Sequence, residues 1–239
     1  MGTTTSVSSP DAKLMYTTAA HKDRTIVTLW RDGRKTRSVR IPGWFGMPLA
    51  TNDGTAEGLS HDGRTLLLSS SGGPTSAFAV LDAHTLQLRR VVKLHGQFFY
   101  DALSPTGRTL YLIQFTPSLS GVLSHYYVRA YDLAQGRLLR QIVSDEREKA
   151  GPMSGTPITR VTGPSGRWVY TLYVRPNGHL FVHALDSVDR HAFCVDLTWH
   201  GSAPASWTMR LKLRPGKLLV VQSSARVAVI DTKTLRVTA

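Results

Sequence analysis

Four charged side chains occupy one equivalent place in a pattern that the sequence repeats. Glu57, Asp101, Arg160 and Arg210 each lie six residues before the fourth residue of a polar turn, and Ser6 takes that place in the first copy. Two acids and two arginines can satisfy one another, because buried charges persist only when they are paired. If the repeats are arranged around a central axis, the same four residues can instead line a polar pocket on that axis, and the pocket would bind an anionic ligand. The sequence leaves both interpretations open.

Aromatic side chains that could contact a ligand cluster in the segments that lead into the first strand of a repeat. They are Trp44, Phe45, Phe99, Tyr100 and Trp207. Planar rings beside charged groups suit stacking on a sugar or contact with an apolar side chain of a partner protein. The alternative is that each ring covers the packing between two neighbouring repeats.

Motifs for catalysis are missing from the sequence. It contains neither a Gly-x-Ser-x-Gly elbow nor a glycine-rich phosphate loop. His179 and His183 are four residues apart, which on a strand is about 13 Å, too far to share a metal ion. Glu57 and Asp101 could form the acid–base pair of a glycosidase-like site. Nearby arginines favour the ionised form of both, which is unsuitable for a general acid, so we expect no catalytic residue, no metal site and no cofactor.

A repeated turn organises the chain. Its copies lie at residues 9–13, 60–64, 104–108, 163–167 and 213–217. Their fourth residues are spaced by 51, 44, 59 and 50 residues: Ala12, Gly63, Gly107, Gly166 and Gly216. Short strands rich in apolar residues follow each turn. A repeat of this size is typical of a propeller or a solenoid, because one unit cannot bury its own apolar faces and must stack on the next.

The strand and turn pattern predicts an all-β chain with almost no helix. We expect a single domain over residues 1–239, a β-propeller of five four-stranded blades. The blades are placed at about residues 3–43, 44–96, 97–154, 155–204 and 205–239. Thr55–Leu59 is predicted as the innermost strand of the second blade, and Leu235–Ala239 as the outermost strand of the fifth.

The third repeat carries a resemblance to a known class of repeats. Its turn Ser104–Arg108, its strand Leu110–Leu112 and its strand end Tyr131–Leu133 with Gly136 resemble the YVTN and WD40-like repeats of bacterial β-propellers. The first copy departs from the pattern, because Ala12 stands where glycine is expected. The resemblance implies a propeller fold. It leaves the function open, because propellers serve as lectins, hydrolases, lactonases, sensors and scaffolds.

The charge of the chain is strongly positive. The sequence has 29 Lys and Arg against 16 Asp and Glu, a net charge of +13, which favours anionic partners. The basic residues occur singly and are most frequent in the predicted outermost strands, where they discourage edge-to-edge association. We therefore consider nucleic acid an unlikely partner. No run of 18 apolar residues exists, so we expect no transmembrane segment.

These observations favour a non-catalytic ligand-binding, protein-binding or sensor propeller. The expected partners are a protein, or an anionic small molecule or polysaccharide. The alternative is a hydrolase or lactonase-like enzyme with an axial active site. The first residues do not resemble a signal peptide, as would also be true of a mature chain or of the extracytoplasmic part of a longer protein. We expect an extracytoplasmic or secreted location, with a cytoplasmic one as the alternative.

Overall fold

Short strands rich in β-branched and aromatic residues make up most of the chain. The structure is a computed structural model that describes residues 5–70, 74–116, 125–147, 151–199, 201 and 203–238. Within these residues the only helix is the single turn α1 (Ala203–Ser206). The prediction of an all-β fold is confirmed.

The strands form five antiparallel sheets, and in each sheet the strands pair in the order of the chain. The first holds β1 (Ser6–Ser8), β2 (Leu14–His21), β3 (Arg24–Arg31) and β4 (Arg34–Pro42). The second holds β5 (Thr65–Ser70), β6 (Thr75–Asp82) and β7 (Leu88–His95). The third holds β8 (Phe98–Leu103), β9 (Thr109–Phe115), β10 (Tyr126–Asp132) and β11 (Arg137–Val143). The fourth holds β12 (Thr156–Thr162), β13 (Trp168–Val174), β14 (Leu180–Asp186) and β15 (His191–Leu197), and the fifth holds β16 (Met209–Arg214), β17 (Lys217–Gln222) and β18 (Ala225–Asp231).

Five such sheets in sequence are the five blades of a β-propeller, as predicted. Four hydrophobic clusters join consecutive blades, because each blade has an apolar face on both sides. The clusters include, in order, Tyr16 with Leu68, Leu67 with Leu112, Tyr126 with Tyr173, and Leu172 with Leu218. Among the described residues, none of these clusters joins the fifth blade to the first.

The second blade lacks the predicted innermost strand Thr55–Leu59, so the expectation of four strands is wrong there. Residues 47–59 instead fold into a hairpin, which we call the axial hairpin. Its two arms pair through Ala50 N to Thr55 O at 2.9 Å and Glu57 N to Pro48 O at 3.0 Å. Because these backbone groups are used within the hairpin, only single bridges such as Leu59 with Leu66 reach β5.

The fifth blade also has three strands rather than four. The segment predicted as its outermost strand, Leu235–Ala239, forms a single bridge to β18 between Val237 and Ile230, supported by Thr238 N to Val229 O at 2.8 Å. Ala239 lies outside the described residues.

The repeat turns share a left-handed residue at their fourth position, which explains the recurring glycine. The φ angles there are 57° at Ala12, 68° at Gly63, 65° at Gly107, 72° at Gly166 and 69° at Gly216. Glycine adopts this conformation without the steric cost that a Cβ atom adds. Ala12 is the departure from the pattern, and it takes the same conformation nevertheless.

Candidate functional site

Arg160 lies at the centre of the charged residues near the axis. Its side chain is 1% exposed, and its Nη2 donates to Asp101 Oδ1 at 2.5 Å. Its Nη1 donates to the main-chain oxygen of Asp101 and to Glu57 Oε2, the latter at 3.1 Å. Its Nε donates to Thr171 Oγ1 at 2.9 Å. The guanidinium is thus held by partners from the second, third and fourth blades.

Local backbone features bring the two acids to this arginine. The pairing of β8 with β9 shifts register between Tyr100 and Ala102, at Asp101, which is the signature of a bulge. Both the carboxylate and the main-chain oxygen of Asp101 therefore face Arg160. Glu57 comes from the returning arm of the axial hairpin, and its Oε2 also accepts a hydrogen bond from the Tyr100 hydroxyl at 3.2 Å.

We call Glu57, Asp101 and Arg160 the ion triad. Its electrostatics favour a permanent cation at its centre. Burial alone would lower the pKa of Arg160, but the charges of Glu57 and Asp101 outweigh burial and raise that pKa above its ordinary value. Burial, followed by the charge of Glu57, raises the pKa of the Tyr100 hydroxyl well above its usual 10.0. Tyr100 therefore acts as a neutral hydrogen-bond donor.

His183 lies next to the ion triad, in the interface between the third and fourth blades. Arg160 pairs across the sheet with Thr171, and Thr171 with His183, so the three side chains lie in one row. Burial lowers the pKa of His183 below its ordinary 6.5, with the charge of Arg160 acting in the same direction and that of Asp101 opposing it. His183 Nε2 and Asp101 Oδ2 are both buried with no hydrogen-bond partner among the described residues.

A cavity of about 370 Å³ adjoins the triad along the axis. Its polar lining includes Ser6, Ser8, Glu57, Tyr100, Arg160 and Thr162. Glu57 is 22% exposed, whereas the side chains of Arg160 and Asp101 are each 1% exposed. Of the three charged side chains in the triad, the Glu57 carboxylate is therefore the one that a molecule in the cavity could reach.

The tip of the axial hairpin contacts the innermost strand of the fourth blade. Asn52 N donates to Pro157 O at 3.0 Å, and Asp53 N donates to Ile158 O at 3.2 Å. The hairpin therefore spans the axis from the second blade to the fourth, near the end where the innermost strands begin. Sequence reasoning missed it, although Asp53-Gly54 between two extended segments is a hairpin signal.

Arg210 has no contact with Glu57, Asp101 or Arg160, so the four charged residues do not form one ion cluster. Its Nη1 donates to Trp207 O at 3.1 Å and to Met209 O at 2.7 Å, and its Nε lies 3.9 Å from Asp53 Oδ2. Met209 and Leu211 point into the core shared with the fourth blade. Because side chains alternate along a strand, Arg210 points to the opposite side of the blade, where it is half-exposed.

The predicted aromatic residues fall into two groups. Trp44, Phe99 and Trp207 are 69%, 38% and 45% exposed. Phe45 packs against the core between the first two blades, and Tyr100 is buried at the ion triad. Among the described residues, the structure adds three exposed large apolar side chains that the sequence did not single out: Leu49 of the axial hairpin at 57%, Val188 at 50% and Val237 at 44%. Whether any of these residues binds a ligand stays a prediction.

Metal ligands and membrane-spanning helices are two further features that could indicate a function. Among the residues that the structure describes, no group of three His, Cys, Asp or Glu side chains is placed to hold a metal ion. No helix within the same residues is long and apolar enough to cross a membrane.

Solved structures resemble this one at low sequence identity. Hydrazine synthase of Kuenenia stuttgartiensis aligns with a TM-score of 0.58 and 17% identity over 95% of this chain and 64% of that one. TolB of Acinetobacter baumannii aligns with a TM-score of 0.51 and 14% identity over 95% of this chain and 51% of that one. The Cps50 (Swd1) β-propeller domain of Myceliophteria thermophila aligns with a TM-score of 0.53 and 13% identity over 95% of this chain and 66% of that one.

At these identities the likeness supports the propeller fold alone. The chain spans between about half and two thirds of the length of these three structures. No protein-family model and no curated protein sequence matches the chain. The resemblance to WD40-like propellers is thus supported by structure, whereas membership of the YVTN class stays a prediction.

Proposed function

We propose that the protein is a non-catalytic binding propeller that binds a partner protein through an aromatic face. We define the aromatic face as Trp44, Leu49, Phe99 and Trp207. Each lies in or beside a segment that connects one blade to the next. All such connections lie at the same end of the blades, because each runs from an outermost strand to the next innermost one.

The observation that carries this proposal is the exposure of these four large apolar side chains on one face. Soluble proteins leave single apolar residues exposed, but grouped ones mark sites of interaction. Aromatic residues are enriched in protein interfaces relative to the rest of the surface. The net charge of +13 favours a partner with an acidic surface, since opposite charge accelerates association.

The state of the ion triad favours a structural role over an axial anion-binding site. The Arg160 guanidinium already donates to two carboxylates, a carbonyl and a hydroxyl. A free anionic ligand would have to displace buried partners in order to reach it, at a large desolvation cost. The triad is therefore best explained as a structural link between three blades.

Site-specific photo-crosslinking in cells tests the aromatic face. We would place p-benzoyl-phenylalanine at position 44 or 207 and, as a matched control, at position 188. Val188 is 50% exposed but lies in a turn at the opposite end of the fourth blade. A discrete crosslinked protein is expected from positions 44 and 207 and not from position 188. Crosslinks of equal yield at all three positions, or none at 44 and 207, would contradict the proposal.

A hydrolase remains the second candidate because Glu57 borders the axial cavity. The carboxylate is partly exposed and contacts the Tyr100 hydroxyl. A panel of chromogenic esters, lactones and glycosides, assayed with the wild type and Glu57→Gln, separates the two candidates. We expect no turnover that depends on Glu57, and turnover lost in Glu57→Gln would establish the enzyme instead.

We further propose an extracytoplasmic location. Fractionation of cells that express the native gene, with detection by an antibody to the propeller, tests it. Recovery with the cytoplasmic fraction would contradict it.

A further inference from the structure

A polar cavity between the second and third blades is lined by four arginine side chains. It has a volume of about 530 Å³ and lies at the end of the blades where the innermost strands finish. Arg64 comes from the repeat turn of the second blade, Arg108 from that of the third, and Arg89 and Arg90 from β7. Among the described lining residues, Asp62 is the only acid. The cavity therefore has a clear excess of positive charge.

Neighbouring groups neutralise only part of that charge. Arg89 forms an ion pair with Asp82 just outside the cavity. Asp62 Oδ1 is already used by a hydroxyl at 2.6 Å and by the main-chain amide of Arg64 at 3.1 Å. The side chains of Arg64 and Arg108 have no hydrogen bond or ion pair with any described residue. Two guanidinium groups, on residues that line the cavity, are thus free to bind an anion.

Arg90 is fixed in place by the neighbouring blade. Its Nη1 donates to Leu133 O at 3.0 Å in the last turn of the third blade. Gly136 in the same turn leaves space for the guanidinium, since a Cβ atom there would lie 2.5 Å from Nη1. The other nitrogen atoms of Arg90 make no hydrogen bond with the described residues. Arg90 therefore presents a positioned donor group rather than a mobile charge.

We propose that this cavity is a binding site for a small ligand that carries a tetrahedral oxyanion, a phosphoryl or sulfuryl group. Guanidinium groups present paired N–H donors whose spacing matches two oxygen atoms of such a group. A cavity of this size lies in the range of small-molecule sites and holds more than a free oxyanion. Leu133 and Val80 in the lining offer apolar contact to the rest of the ligand. The site lies apart from the aromatic face, so its failure would leave the proposed function unaffected.

Calorimetric titration of the purified chain at constant ionic strength tests the proposal. The probes are inorganic phosphate, inorganic sulfate, glucose 6-phosphate, glucose 6-sulfate and glucose. We expect saturable one-site binding of the phosphoryl or the sulfuryl probes and none of glucose. A preference for the phosphates or for the sulfates identifies the source of the oxyanion. Failure of all four anions to saturate at millimolar concentration would overturn the proposal.

Substitution of the free arginines assigns the binding to this cavity. Arg64→Gln/Arg108→Gln should weaken binding roughly tenfold or more, since hydrogen bonds to charged groups contribute more than neutral ones. Both side chains are exposed and unpaired, so the variant should retain the wild-type melting temperature. Arg34→Gln/Arg37→Gln removes the same charge from exposed positions in the first blade and should bind as the wild type does. Equal weakening in both double variants would show a general charge effect and refute the site.

Discussion

Replacement of Arg160 by methionine should destabilise the protein strongly, and far more than the same replacement of Arg210 at the equivalent place in the fifth blade. The change removes the cation but keeps a similar apolar length. It leaves the Asp101 carboxylate, which is 1% exposed, without its charged partner. Removal of one partner from a buried ion pair costs about 3–5 kcal/mol. For a chain of this size each kcal/mol lowers the melting temperature by about 2–4 °C, so we expect a loss of roughly 6–20 °C.

Arg210→Met is the matched control, because Arg210 occupies the same place in the repeat. Its side chain is 49% exposed, and its nearest carboxylate oxygen lies 3.9 Å away on Asp53. Exposed pairs contribute about 0–1 kcal/mol, so the melting temperature should fall by about 4 °C at most. A second control removes both buried charges: Arg160→Met/Asp101→Leu should recover part of the loss, because a buried pair can often be replaced by apolar residues.

Thermal and urea unfolding, followed by circular dichroism, measure these differences. A coupling free energy of about 0.5–3 kcal/mol between the substitutions at Arg160 and Asp101 is expected for residues in direct contact. A loss below about 1 kcal/mol in Arg160→Met, or strict additivity in the double variant, would refute the structural interpretation of the triad. Either result would return the axial anion-binding interpretation to consideration.

Two further predictions concern equivalent turns and pH. Gly107→Ala should lower the free energy of unfolding in urea more than Gly216→Ala does. Both glycines have a positive φ, at which a Cβ atom costs about 1–2 kcal/mol. A Cβ at Gly107 would in addition clash with a side-chain oxygen of the second blade, whereas nothing lies within 4 Å of a Cβ at Gly216. Equal losses would argue against close nesting of the turns. For His183, burial lowers the pKa below 6.5, an effect that Arg160 supports and Asp101 opposes. The unfolded chain then binds a proton that the folded chain does not, so this contribution to stability is present above about pH 6.5 and is lost below it. His183→Leu should therefore reduce the fall in melting temperature between about pH 7.5 and 5.5, and an unchanged fall would exclude this role.

The repeat allowed much of the fold to be predicted from local chemistry. Each turn needs a left-handed residue at its fourth position, so glycine recurs there and marks the register of the blades. Aspartates at the strand ends recur for a similar local reason. Asp82, Asp132, Asp186 and Asp231 each accept hydrogen bonds from two main-chain amides of the following turn.

The axial hairpin could not be placed from the repeat, because it breaks the repeat. Thr55–Leu59 has the composition and spacing of an innermost strand, yet its backbone pairs with the residues just before it. That outcome depends on the contact of Asn52 and Asp53 with β12, more than 100 residues away in the chain. A pattern of neighbouring residues cannot predict a contact between residues so far apart in the sequence. The partners of Arg210 could not be predicted for the same reason. Its position in the repeat is equivalent to that of Arg160, but its nearest carboxylate belongs to Asp53 of the axial hairpin.

Basic residues that are far apart in the sequence can become neighbours in a repeat fold. Arg64 and Arg108 lie 44 residues apart and each directly follows the fourth residue of its turn. Because consecutive blades stack side by side, equal repeat positions become neighbours at the same end of the interface. The equivalent residue of the fourth blade, Arg167, forms ion pairs with Asp186 and Asp189, so no free guanidinium remains there. A free pair of arginines therefore arises between the second and third blades from residues that are isolated in the sequence, and a basic surface in a repeat protein is better sought by repeat position than by runs of charge.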